Sequence, residues 1–86
     1  MIRIKQLIWD DWNIDHIKKH KVSVDEVEEA CKAAKKTLKT YQSRLIVLSR
    51  TKKNRLLTIV LAPAGKGKYY LVTARDMSQK ERRLLK

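Results

Sequence analysis

The run Leu56-Leu57-Thr58-Ile59-Val60-Leu61-Ala62 carries almost no polar alternation, and it narrows the choice of folds more than any other segment. A strand with one wet face alternates polar and apolar residues, whereas a strand covered on both faces reads as a continuous apolar, β-branched run. This segment is therefore expected at the centre of a sheet. Around it, Thr37 to Tyr41, Arg44 to Thr51 and Lys68 to Arg75 are also rich in β-branched, leucine and tyrosine residues. They are separated by the short turn sequences Lys52-Lys53-Asn54-Arg55 and Pro63-Ala64-Gly65-Lys66-Gly67. Connections this short imply an antiparallel meander. In Lys68 to Arg75, strand alternation puts Tyr70, Val72 and Ala74 on one face and Tyr69, Leu71, Thr73 and Arg75 on the other; the smaller, drier first set is expected to face the core.

The N-terminal part has a different pattern. Ile2 to Trp9 begins with alternation and turns apolar, as a first strand would. Asp10, Asp11 and Asn13 offer N-caps for a helix to about Lys21, with Ile14 and Ile17 on its inner side. Ser23 with Glu26 forms a capping box for a second helix, closed by Val22 and Val27 as a hydrophobic staple. On that helix Val27, Ala30, Cys31 and Ala34 trace a buried stripe. Ser78 with Glu81 repeats the capping pattern before a short C-terminal helix bearing Lys80, Arg82 and Arg83. The order is β-α-α-β-β-β-α. It describes an α+β domain spanning residues 1–86, with two N-terminal helices packed on one face of a twisted antiparallel sheet and a more basic, open opposite face.

Charge is distributed unevenly. No carboxylate lies between Glu29 and Asp76, a stretch of 46 residues with twelve lysines and arginines, and the whole chain of 86 residues carries a net charge of +12. A field of one sign points to polyanionic partners. The longest uncharged run, Leu56 to Gly65, has ten residues, about half of the ~20 that cross a bilayer as a helix. Charged residues interrupt the apolar N-terminus, so no signal-peptide core is expected and the chain is placed in the cytoplasm, without a membrane partner. A single cysteine, Cys31, forms no internal disulfide and is expected as a small buried hydrophobe.

His16 and His20 are four residues apart on the first helix and share a face beside Lys19. Imidazoles there can act in proton transfer or simply cap a cationic helix end. A metal site needs a third ligand that the sequence does not offer, so neither metal nor cofactor is expected. Arg50 and Arg75 end strands, where a guanidinium is held rigidly enough to meet a phosphate, and neither has an acidic neighbour in the carboxylate-free stretch. Lys52, Lys53 and Arg55 read as solvated or phosphate-tracking turn charges. Among the aromatics of the basic half, Tyr41 and Tyr69 are candidates for stacking on RNA bases and Tyr70 is expected in the core. Trp9 is assigned to the core, and spacing leaves Trp12 unassigned.

Several short segments together resemble the BrnT family of type II toxins: Trp9-Asp10, Lys19-His20-Lys21-Val22-Ser23, Ser49-Arg50-Thr51, Val72-Thr73-Ala74-Arg75-Asp76-Met77-Ser78, and Glu81-Arg82-Arg83. The resemblance covers nearly the whole chain. It implies a fold similar to the RelE and ParE toxins, ribonuclease activity on cellular RNA, and inhibition by an antitoxin encoded nearby. The sequence departs from the pattern at Lys21, where the family usually has glycine, at Leu85, near which a tyrosine is frequent, and at His16, where asparagine is common.

Two functions follow as expectations. The first is a metal-independent endoribonuclease that uses the substrate 2′-hydroxyl as nucleophile. In it His20 is acid or base, His16 the alternative base, Lys19 and Arg75 stabilise phosphate charge, and Arg50, Lys80, Arg82 and Arg83 bind the RNA. The second is a non-catalytic basic module that binds RNA or an acidic protein through its charge alone.

Overall fold

The computed structural model describes residues 4–33, 36–40 and 43–84. Ile2, Ala34, Tyr41 and Leu85, which enter the expectations above, lie outside the described residues. The elements run β1 (Gln6–Ile8), α1 (Asp11–Lys18), α2 (Val24–Lys32), β2 (Lys36–Lys39), β3 (Leu45–Arg50), β4 (Leu56–Gly65), β5 (Lys68–Asp76) and α3 (Gln79–Leu84).

One five-stranded sheet has the order β1-β5-β4-β3-β2, so β4 is central, as its unbroken apolar run requires. The segment from β2 to β5 is an antiparallel meander. Two features correct the expected order. The segment at 36–39 is a strand in its own right, hydrogen-bonded to β3, so four strands rather than three follow α2. In addition β1 joins β5 in parallel, with Leu7 beside Tyr69, so the sheet is mixed and not purely antiparallel. Its partner lies some sixty residues along the chain, where no local pattern could reveal it. The docking point is the turn between β4 and β5. The Gly67 carbonyl accepts from the amides of Lys5 and Gln6 at 2.8 and 3.0 Å. Gly67 has a φ of 70°, and a Cβ there would come within 2.8 Å of the Lys5 side chain, so the position needs glycine both for its backbone and for the approach of β1.

α1 packs on β5, and α2 on β3 and β4. Between these helices and the sheet lie Leu7, Ile17, Val22, Val27, Ala30, Leu45, Val47, Leu57, Ile59, Leu61, Leu71 and Ala74, all buried. A fully buried Ile or Leu of this kind contributes about 1.5–3 kcal/mol. Leu71 and Ala74 belong to opposite alternation sets, yet both face this core. The register explains it: Val60 pairs with Thr73 but Leu61 pairs with Leu71, leaving Val72 as an extra residue in β5. The bulge reverses the facing of everything on one side of it. Neither alternation set is therefore the core set as a whole, and Tyr70 is half-exposed, its hydroxyl donating to Asp10 Oδ2 at 2.9 Å, instead of lying in the core.

α1 begins with a reciprocal box between Asp10 and Asn13. Asn13, fully buried, also donates from Nδ2 to the carbonyls of Ile8 at 3.0 Å and Leu71 at 3.1 Å. One amide thus ties the helix start to the end of β1 and to β5. α2 starts on the Ser23–Glu26 box, with Val27, Ala30 and Cys31 buried. Burial, with Glu28 nearby, pushes the Cys31 thiol up to about 12, so it is a packing group and not a nucleophile.

The opposite sheet face is not open throughout. Ser78 and Glu81 form the expected box at the start of α3, and α3 folds back towards β4 and β2. Thr58 Oγ1 donates to Glu81 Oε1 at 2.8 Å, and Lys36 Nζ donates to the Leu84 carbonyl at 3.2 Å. Thr58 and its ladder partner Leu48 are both buried on this face.

Candidate functional site

α1 ends because the chain turns left-handed at Lys21, whose φ is 58°. The Val22 amide reaches back to the Ile17 carbonyl at 3.1 Å and the Lys21 amide to the Lys18 carbonyl at 2.9 Å. These two bonds are those of a Schellman motif, whose left-handed position normally holds glycine. The closure presents His20 and Lys19 at the helix end, both exposed.

The histidine pair is brought together. The His16 and His20 rings meet edge to face with centroids 5.7 Å apart, and His16 is itself stacked on Trp12, centroids 5.2 Å apart and planes inclined by only 6°. Among the described residues neither imidazole engages its ring nitrogens in a hydrogen bond, which leaves them available for proton transfer.

The side chain that organises this corner is Arg55, which the sequence places among solvated turn charges. Its guanidinium donates to Asp76 Oδ1 at 2.8 Å and Oδ2 at 3.3 Å, to both Glu26 carboxylate oxygens at 3.1 Å, and to the carbonyls of Lys21 at 2.6 Å and His20 at 3.3 Å. The β3–β4 turn, the α1–α2 turn, the start of α2 and the end of β5 are thereby joined through one planar group. Arg55 holds the Asp76 carboxyl below its ordinary range, with Arg82 and His20 adding to the effect through their charge. Asp76 and the His20 carbonyl thus meet on one guanidinium. Glu26 is lowered as well: its own burial opposes ionisation, but the Ser23 amide and Arg55 outweigh it.

Arg75 does not join this corner. It pairs across to Thr58, on the face covered by α3, and its Nη1 and Nη2 each donate at 2.9 Å to one oxygen of Glu81. That pair, together with the Ser78 amide and Thr58, holds the Glu81 carboxyl at about 2. The expectation of a guanidinium without an acidic partner is thus not met at Arg75. The carboxylate-free stretch ends one residue after it, and the helix that follows brings Glu81 back over the strand. Asp76, adjacent in sequence, faces the α1–α2 side, so Arg75 and His20 stand on opposite faces of the sheet.

Arg50 is exposed at the end of β3. It lines a broad open hollow of about 830 Å³ with Asp25, Glu28, Glu29, Lys32 and Lys52, and no residue of α1 reaches that hollow. Lys80, Arg82 and Arg83 project from α3 and are exposed. Among the described residues no group of three His, Cys, Asp or Glu side chains could hold a metal ion, and no helix is long and apolar enough to cross a membrane.

The fold has a solved counterpart. A crystal structure of the Brucella abortus ribonuclease toxin BrnT matches with a TM-score of 0.69, covering 86% of this chain and 97% of the other. This chain has the BrnT fold. At 22% identity the likeness to BrnT is one of architecture, and each side chain's role is argued from its own surroundings. No protein-family model and no curated protein matches the sequence. The sequence resemblance to the BrnT family and the architecture agree.

Proposed function

We propose that this chain is a ribonuclease toxin of the BrnT kind, acting on cytoplasmic RNA without a metal and held inactive by a cognate antitoxin. Supporting this reading most directly is the His16–His20 pair, half-buried His16 on α1 and exposed His20 in the turn that closes it, with free ring nitrogens at a cationic corner of a BrnT fold. Two adjacent imidazoles can supply both proton transfers that cleavage needs. One takes the proton from the 2′-hydroxyl as its oxygen forms a bond to the adjacent phosphorus. The other delivers a proton to the 5′-oxygen as the P–O5′ bond breaks, leaving a 2′,3′-cyclic phosphate. His20 is the stronger candidate for one role, because Arg55 fixes its backbone, and His16 takes the other. Lys19, with Arg82 from α3, offers positive charge to the phosphorane-like transition state.

Arg75 has a different part in this reading. Bound to Glu81, it contributes less charge to a phosphate than an unpaired guanidinium, and its task is to seat α3 so that Lys80, Arg82 and Arg83 face the RNA. Arg50 contacts RNA beyond the cleavage point. The RelE and ParE likeness enters as the general plan: a small basic sheet domain whose active corner an acidic antitoxin covers.

The deciding experiment is induced expression with and without the adjacent open reading frame, scoring growth and RNA integrity, alongside incubation of purified protein with RNA in chelator. Growth arrest relieved by the neighbour, and cleavage that persists in chelator but is lost in His16→Ala and His20→Ala, is the expected result. The alternative of a non-catalytic basic module draws on the neutralisation of Arg55 and Arg75 by carboxylates. It predicts salt-sensitive RNA binding without shortening.

A further inference from the structure

Trp12 is 62% exposed, an unusual position for the largest apolar side chain. Trp9, three residues earlier, is half-buried against the core and donates from Nε1 to Glu28 at 3.4 Å. One face of the Trp12 indole lies flat on His16, so the exposed remainder of the ring is a flat aromatic surface turned to solvent. Trp12, His16 and His20 follow at four-residue spacing, the first two on one side of α1 and His20 continuing that side in the turn beyond it, as a ladder of three rings.

Charge along α1 is graded. Asp11 and Asp15 stand near the Trp12 end, Asp15 meeting Lys18 at 4.0 Å. Lys19 falls on the ladder side, and Lys21 follows His20 in the turn that closes the helix. A polyanion backbone is therefore favoured at the His20 end and disfavoured at the Trp12 end. What suits the Trp12 end is a flat group with little charge of its own. A single-stranded RNA has both parts in alternation, phosphates for the cations and bases for the ring.

We propose that Trp12 is a nucleobase platform: a base flanking the scissile phosphate of single-stranded RNA stacks on its open surface, setting the register in which that phosphate reaches His16 and His20. The inference rests on the ribonuclease reading above and adds a substrate-contacting residue to it. A stacked base is gripped through its π-face, so the platform gives affinity and register with little preference among bases.

Trp12 emission is isolated in a Trp9→Phe background and followed while a single-stranded oligoribonucleotide of about six nucleotides is added. An abasic ribose-phosphate chain of the same length is the control. The oligonucleotide is expected to quench Trp12 and the abasic chain to leave its emission unchanged. Trp12→Ala is expected to bind the oligonucleotide about tenfold more weakly and to raise KM for cleavage with little change in kcat, while Trp12→Phe recovers most of the affinity. Because the ring is exposed, thermal melts of these variants should match the parent. Equal quenching by the abasic chain, or oligonucleotide affinity and KM within about twofold of the parent in Trp12→Ala, overturns the platform while cleavage by the parent leaves the ribonuclease reading standing. Loss of an acidic protein partner in Trp12→Ala with RNA affinity intact overturns it too, assigning the ring to a protein interface. Absence of both binding and cleavage in the parent overturns the platform and the reading beneath it.

Discussion

Arg55 donates from Nη2 to the carbonyl oxygen of His20 at 3.3 Å, so a side chain from the β3–β4 turn fixes the backbone that carries the imidazole just past the end of α1. The same guanidinium is held by Asp76 and Glu26, each through its carboxylate. The Arg55 and Glu26 side chains are 27% and 28% exposed, so their pair is only partly screened, whereas Asp76 at 62% stands largely in water; removing Arg55 leaves two carboxylates and two carbonyls without their donor.

Arg55→Ala is accordingly expected to destabilise the chain by about 2 kcal/mol in urea denaturation, and Arg55→Lys to recover only part of it, since an ammonium cannot reproduce the planar fork. If cleavage depends on the placement of His20, both variants lose kcat at temperatures where they remain folded.

Lys21 occupies the left-handed position of the α1 Schellman turn at φ 58°. A non-glycine residue there costs about 1–2 kcal/mol, while glycine adds about 0.4–1 kcal/mol of unfolded-state entropy. The first term is larger, so Lys21→Gly should raise stability by roughly 0.5–1 kcal/mol, visible as a higher melting temperature. Its carbonyl still accepts from Arg55. An unchanged or lower melting temperature would count against strain at this turn.

The Glu81 carboxyl sits at about 2 against an ordinary 4.5. A depressed folded-state value means that its stabilisation is fully present above the unfolded value and is lost as pH falls through the folded one. Asp76 and Glu26 are shifted in the same direction. Stability should therefore decline between about pH 5 and pH 2. In Glu81→Gln that decline should be shallower, with lower stability at neutral pH, as read from denaturant midpoints across the range.

Substituting His20 or His16 by alanine is expected to reduce RNA cleavage by about 10²–10⁴-fold while leaving the melting temperature close to that of the parent, because neither ring is in the core. Arg75→Ala should act the other way round, loosening α3 and lowering stability by about 1–2 kcal/mol, with a smaller effect on the cleavage step. Cleavage rates measured beside melting curves separate the two classes.

Much of the local structure could be read directly. Ser23 with Glu26 and Ser78 with Glu81 are complete within four residues, and the unbroken run at Leu56–Ala62 needs both faces covered wherever it is placed. The core face of β5 could not be read, because the bulge at Val72 arises from pairing with Val60 and Leu61 and has no local mark. The site was legible in its parts. His16 and His20 share a helix face by spacing alone, but Arg55 in a lysine-rich turn looks no different from its solvated neighbours.

What the sequence determined by itself is what short-range geometry and composition control: the caps, the helix stripe, the central strand, the histidine pair and a field of one sign. Only the tertiary structure decided which cations are free. Charge pairs form through space, so a stretch of 46 residues without a carboxylate still supplies Arg55 to Glu26 and Asp76, and Arg75 to Glu81, once two turns and α3 bring them together. It also decided which sheet face Arg75 and Asp76 each serve, because the bulge at Val72 sets the facing of the residues beyond it.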